Sequence, residues 1–225
     1  YTPVVREEQH SAIHAVNAID PVYIETAGKI IEAAEKVFDS INGDILLPLA
    51  DHLAFAARRE RENIFLSNPF IPDIKILFGK EYAVALESRS IIEEMTGYRI
   101  SDDEAGFIAL HIHSGLSDEA VSETLKATQL IDESMQIIEE HLEKEMQKEA
   151  LNYIRLMSHL YYMVVRTKTG EAVNIDLNEF VQEKYPEAMK IAALICDNMA
   201  EKLERQIMQE EVGFLAIHIQ RMIAA

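Results

Sequence analysis

Moved against itself by 107 residues, the sequence meets a second copy of itself. "DHLAFAARR" at 51–59 falls on "SHLYYMVVR" at 158–166, and "EAGFIALHI" at 104–112 falls on "EVGFLAIHI" at 211–219, both without a gap. Between these blocks Phe78 meets Tyr185, Ala85 meets Ala192 and Ile100 meets Ile207; upstream, Ile30-Ile31-Glu32 meets Ile137-Ile138-Glu139. A period this long exceeds that of solenoid repeats, so each copy must close a hydrophobic core of its own. The 225 residues suffice for two ordinary domains. The expected organisation is a linker at 1–19, one domain at 20–116, and a second domain with a connecting helix at 117–225.

Apolar spacing within each copy is helical. Asp20-Pro21 reads as N-cap and N1, the following segment places Ile24, Ala27, Ile31, Ala34 and Phe38 on one face, and Asn42-Gly43 reads as the stop. Pro48 suits the first turn of "PLADHLAFAARRERE", whereas "NIFLSNPFIPDI" reads as a loop with a short helical turn. "KEYAVALESRSIIEEM" is predicted as one helix ended by Gly97, and "SDDEAGFIALHIH" as another, opened by a Ser101/Glu104 capping box and ended near Gly115. A long helical pattern runs from Ser117 to about Gln147. Nothing alternates with period two. The expected class is all-α, two homologous helical-bundle domains in tandem.

Charge narrows the function. With 21 Lys+Arg against 39 Asp+Glu the net charge is −18, which repels a nucleic-acid backbone. The densest basic run, Arg58-Arg59-Glu60-Arg61, is itself interrupted by acid. No apolar run approaches a membrane span, and "YTPVVREEQH" lacks the pattern of a signal peptide. One cysteine, Cys196, allows no internal disulfide. A cytoplasmic protein without a membrane partner is expected.

Of eight histidines, His52 and His111 map onto His159 and His218, 59 residues apart in each copy, while His10, His14, His113 and His141 have no counterpart. Only about a dozen positions are identical between 51–112 and 158–219, so retention of both histidines through that divergence points to function. Arg59 and Arg166 lie seven residues after the first histidine, and Glu104 and Glu211 seven before the second. Seven residues are two turns, about 10.5 Å. Antiparallel packing that brings His52 to His111 therefore brings Arg59 to Glu104, and likewise His159 to His218 and Arg166 to Glu211; parallel packing would set Arg beside the second histidine. Glu211 persists although Met208 replaces the capping serine, so capping alone does not account for it. Gly106 and Gly213 are read as close helix contacts, and Phe107 and Phe214 as core. Asp51 beside His52 becomes Ser158 beside His159, which is expected to make the two sites chemically unequal.

These residues resemble a known family. "LADHLAFAARRE", "NPFIPDIKILFGKEYAVALE", "DDEAGFIALHIHSG" and, in the second copy, "MSHLYYMVVR" and "EEVGFLAIHIQRM" look like the tandem PTS regulation domains (PRDs) of bacterial sugar-operon antiterminators, over residues 15–225. The resemblance implies helical bundles and phosphorylation of His52, His111, His159 and His218. It further implies that a sugar-specific permease component of the phosphotransferase system exchanges phosphate with His52 and His111. The histidine phosphocarrier protein would serve His159 and His218. A homodimer is implied, as is RNA binding only through an N-terminal domain absent from this sequence, which makes the chain a regulatory fragment.

A neutral imidazole near its pKa of about 6.5 is a usable nucleophile, and a phosphoryl group adds roughly −1.5 to −2 charges. With no phosphate-cradling glycine loop, the chain reads as a phosphate acceptor, not an enzyme, and needs no cofactor. Two alternatives differ in kind. The same domains could serve a DNA-binding activator. Or the histidines with Asp51 and Glu104 could bind Zn²⁺ or Fe²⁺, against which stand the absence of HExxH and the loss of a ligand at Ser158.

Overall fold

The structure, a computed structural model, describes residues 19–117 and 119–224. The linker expected at 1–19, with His10 and His14, lies outside the described residues but for its last position. The described chain is helical with no strand, and it divides into two compact units between Thr124 and Leu125. The first unit holds α1 (Pro21–Glu35), α2 (Leu46–Arg61), α3 (Ile71–Leu77), α4 (Gly79–Glu87), α5 (Arg89–Thr96) and α6 (Asp102–Ser117). The second holds α8 (Leu151–Thr169), α9 (Asn178–Lys184), α10 (Pro186–Leu203) and α11 (Gln209–Ile223), preceded by α7 (Val121–Leu142), whose first turn contains the division.

The repeat is carried into three dimensions. Adding 107 to the ends of α3 gives the ends of α9, and adding it to the end of α1 gives the end of α7. In both units the last helix is the central one: α6 packs on α2, α3 and α4, as α11 does on α8, α9 and α10. Ile108, Leu110 and Ile112 of α6, and Leu215, Ala216 and Ile219 of α11, are fully buried. Each buried Leu or Ile contributes about 1.5–3 kcal/mol.

Departures from the predicted elements have local causes. The first helix ends at Glu35, and Asn42 does not stop it: its side chain accepts a hydrogen bond from the Asp44 amide and so caps the 3-10 turn Gly43–Ile45 that leads into α2. Of the face predicted for α1, Ala27 and Ala34 are buried as expected, whereas Ile24 and Ile31 are half-buried, Tyr23 and Ile30 take their places in the core, and Phe38 lies beyond the helix end. The single helix expected at 80–95 is interrupted at Ser88, whose hydroxyl and amide both donate to the Val84 carbonyl, at 2.8 and 2.9 Å. Ile195 stands there in the second unit, and α10 runs through unbroken. Gly97, at φ 69°, terminates α5 in the left-handed conformation that a side chain disfavours.

Gly106 and Gly213 act as spacers. A Cβ on Gly213 would lie 2.6 Å from Asn178 Oδ1 and 3.2 Å from backbone atoms of Asn178 and Leu177, whereas one on Gly106 would meet the tips of the Ile71 and Asn68 side chains. A backbone cannot step aside as a side-chain tip can. Gly213→Ala should therefore destabilise the protein by about 1–3 kcal/mol despite alanine's better helix propensity, and Gly106→Ala by less. Urea denaturation of the two variants checks the order; a Gly213→Ala protein as stable as wild type would contradict it.

Candidate functional site

In the first unit the site forms where α2 crosses α6. Ala50, Leu53 and Ala57 hold the buried side of α2, which leaves His52 and Arg59, two turns apart, to face α6. The imidazoles of His52 and His111 lie with ring centroids 5.1 Å apart. Toward one end, Arg59 Nη2 donates to Glu104 Oε1 at 2.7 Å. Both contacts together require the antiparallel arrangement. Glu104 does more than the spacing foretold: its other oxygen lies 3.0 Å from His52 Nε2, an off-axis approach that makes no hydrogen bond. The Ser101 hydroxyl accepts from the Glu104 amide at 3.2 Å, so the N-cap half of the box exists, while the carboxylate that would close it is bonded to Arg59 and lies against His52.

The second unit repeats the plan with a different division of the carboxylate. His159 and His218 stack at 4.5 Å. Arg166 takes both oxygens of Glu211, Nε at 2.6 Å and Nη2 at 2.9 Å, and His159 Nε2 is left 3.9 Å away. Glu211 is sealed to 1% exposure. A carboxylate so placed stays ionised only with a cation upon it.

Burial sets the protonation states. His111 is pushed down to about 3, first by burial and then by the His52 charge. His159 is also pushed down to about 3, by burial, then by His218 and Arg166. His218 is lowered as well, by burial and then by Arg221 and Arg155. Burial alone would raise the Glu104 carboxyl, but contacts with His52 and Arg59 outweigh it and hold the group below the usual carboxylate range. His52 Nε2, His111 Nδ1 and His159 Nε2 are buried without a hydrogen-bond partner. Among the described residues no group of three or more His, Cys, Asp or Glu is arranged to hold a metal ion.

Several residues stand elsewhere than the sequence placed them. Asp51 is exposed and forms no ion pair with His52, and the Ser158 hydroxyl donates to the Ile154 carbonyl. The inequality of the two sites therefore rests on how each carboxylate is shared. Phe107 and Phe214 are not core but half-buried, because they lie one turn before the second histidine on its own face; the Phe107 ring is 5.8 Å from His52. Sequence reasoning passed over His113, which lies 3.0 Å from Glu81 and against the Phe78 ring, a pair peculiar to the first copy. Cys196 is buried, and burial, with Glu211 and Asp197 nearby, pushes its thiol up to about 12 and leaves it unreactive.

The histidines make stability depend on pH. An unfolded imidazole protonates near pH 6.5, whereas folded His111 and His159 remain neutral to about pH 3. Between those values the unfolded chain binds more protons, so stability is present above about pH 6.5 and is lost as pH falls. Between pH 7 and 5 the loss should be roughly 1–2 kcal/mol per histidine. Urea midpoints at the two pH values should converge in a His111→Gln/His159→Gln protein; an unchanged pH dependence would contradict the assignment.

Comparison with known proteins identifies the family. The PRD domain model matches residues 28–115 and 132–222. The β-glucoside operon antiterminator of Dickeya chrysanthemi is 32% identical over 203 residues, which are 88% of this chain and 72% of that protein. The transcription antiterminator LicT of Bacillus subtilis is 29% identical over 204 residues, 89% of this chain and 74% of that protein. A solved structure of GlcT CAT-PRDI shares 34% identity, with a TM-score of 0.42 over 44% of this chain and 60% of that one. With two domain matches over most of its length and a relative of that identity and coverage, the chain belongs to the family of PRD-containing sugar-operon antiterminators.

Proposed function

We propose that the chain is the regulatory part of a sugar-operon antiterminator, controlled by reversible phosphorylation of His52, His111, His159 and His218 by the sugar phosphotransferase system. The observation that carries this reading is the paired imidazoles. In each unit two rings lie together, one of them buried and neutral, with an unsatisfied ring nitrogen and an Arg–Glu pair alongside. A neutral ring nitrogen has the lone pair that attacks phosphorus. The phosphoryl group then brings roughly two negative charges to a place already holding Glu104 or Glu211. It repels that carboxylate and competes for Arg59 or Arg166, which turns local charge into movement of the two helices.

On this reading a sugar-specific permease component exchanges phosphate with His52 and His111, which keeps the regulator inactive without sugar. The histidine phosphocarrier protein serves His159 and His218 and favours activity. Phe55 and Tyr162, exposed at equivalent positions three residues past the first histidine, offer apolar rings for a donor protein to dock on. The chain is a substrate of transfer and not the enzyme, works in the cytoplasm as a homodimer whose symmetry doubles each added charge, and reaches RNA only through a separate N-terminal domain.

Incubation with the general phosphotransferase enzymes and labelled phosphoenolpyruvate should give acid-labile label that disappears when all four histidines are replaced by Ala. Label undiminished in that variant would overturn the assignment. Sedimentation of His159→Asp/His218→Asp against wild type should show a change in shape or association, and identical profiles would remove the proposed readout.

A further inference from the structure

The second unit carries two arginines at the end of its histidine pair that faces away from Arg166–Glu211. Arg155 precedes His159 by four residues on α8, and Arg221 follows His218 by three on α11, so each shares its histidine's side of the helix. With His159 against His218 and Arg166 against Glu211, the antiparallel register places both arginines at the opposite end. The Asn152 side-chain amide, donating to the Arg221 carbonyl at 3.4 Å, ties the same helix ends together. Both arginines are exposed, and neither is ion-paired with a described carboxylate. Their charges reach the ring, since after burial they are what lowers the proton affinity of His218. The first unit has Pro48 and Ser114 at the corresponding positions. The cavity of about 600 Å³ against His111 is lined instead by Asp44 and Glu119.

We infer that Arg155 and Arg221 form a two-guanidinium clamp for a phosphoryl group on His218, which holds phosphate more firmly there than on its counterpart His111, where Pro48 and Ser114 stand in place of the arginines. The inference rests on the phosphorylation reading above and deepens it. In the transfer, the lone pair of the unprotonated His218 nitrogen forms a new N–P bond to the phosphoryl group of a donor protein's phosphohistidine. The donor's N–P bond breaks, and its electron pair returns to the donor imidazole. One N–P bond replaces another, so the surroundings decide where the equilibrium lies. Guanidinium–phosphate hydrogen bonds are charge-assisted and often bidentate, and they favour the product on His218. His111 has no such pair of guanidinium groups, since Pro48 and Ser114 occupy the corresponding positions.

Site-resolved occupancy tests this in the full chain, equilibrated with histidine phosphocarrier protein charged from phosphoenolpyruvate. Wild type is compared with Arg155→Gln/Arg221→Gln and with Arg155→Lys/Arg221→Lys. The Gln variant should lose about tenfold in phosphate on His218, with label elsewhere and thermal midpoint unchanged, and the Lys variant should recover part of it. Equal occupancy of His218 in wild type and the Gln variant overturns the clamp while leaving phosphorylation intact. A wild-type chain labelled at no histidine overturns the phosphorylation reading itself, and the clamp with it. An NMR titration without phosphate gives a separate check: the pKa of His218, which also faces His159, should rise in the Gln variant, and an unmoved value contradicts the clamp.

Discussion

A carboxylate enclosed between two helices keeps its charge only against a cation, and both units are built around that requirement. Glu211 is met by two of the three guanidinium nitrogens of Arg166, and Glu104 by one nitrogen of Arg59. Removing one partner of a buried pair strands the other's charge, at a cost of about 3–5 kcal/mol. The pair therefore acts less as glue than as a register pin. Sliding α6 along α2, or α11 along α8, by one turn would leave a buried charge unmet. With the pin in place, two histidines two turns away on opposite helices have no choice but to meet.

The two pins are not the same, and the difference reaches the imidazoles. In the first unit Arg59 leaves one oxygen of Glu104 free to approach His52; in the second, Arg166 occupies both oxygens of Glu211 and His159 stands back. The first site couples histidine to carboxylate directly, whereas in the second the arginine intervenes. Duplicated domains can thus set their paired histidines in different electrostatic surroundings without moving any of the four.

How far this was legible in the sequence depended on the kind of signal. The repeat and the seven-residue spacings contain the antiparallel site almost completely, because helical rise converts residue number into distance. What spacing cannot express is side-chain reach: Glu104 extends back past Arg59 to His52, and Phe107 lies beside the site although its type suggests core. The interruption at Ser88, between two helices of one apolar pattern, is likewise something no periodicity records. On α1, Ala27 and Ala34 are buried as the spacing expects, but Tyr23 and Ile30 take the places it gave to Ile24 and Ile31. Arg155 and Arg221 became visible only as neighbours of His218 in space; on the sequence they were two scattered charges on an acidic chain.

The most direct measurement is a double-mutant cycle on each pin, read from urea denaturation: Arg166→Met with Glu211→Gln in the second unit, and Arg59→Met with Glu104→Gln in the first. The bidentate buried pair should show a coupling energy of about 2–3 kcal/mol and the single-bonded pair roughly 1 kcal/mol. Coupling below about 0.5 kcal/mol in both units, the level expected of independent residues, would contradict the claim that these pairs set the register of the histidine helices.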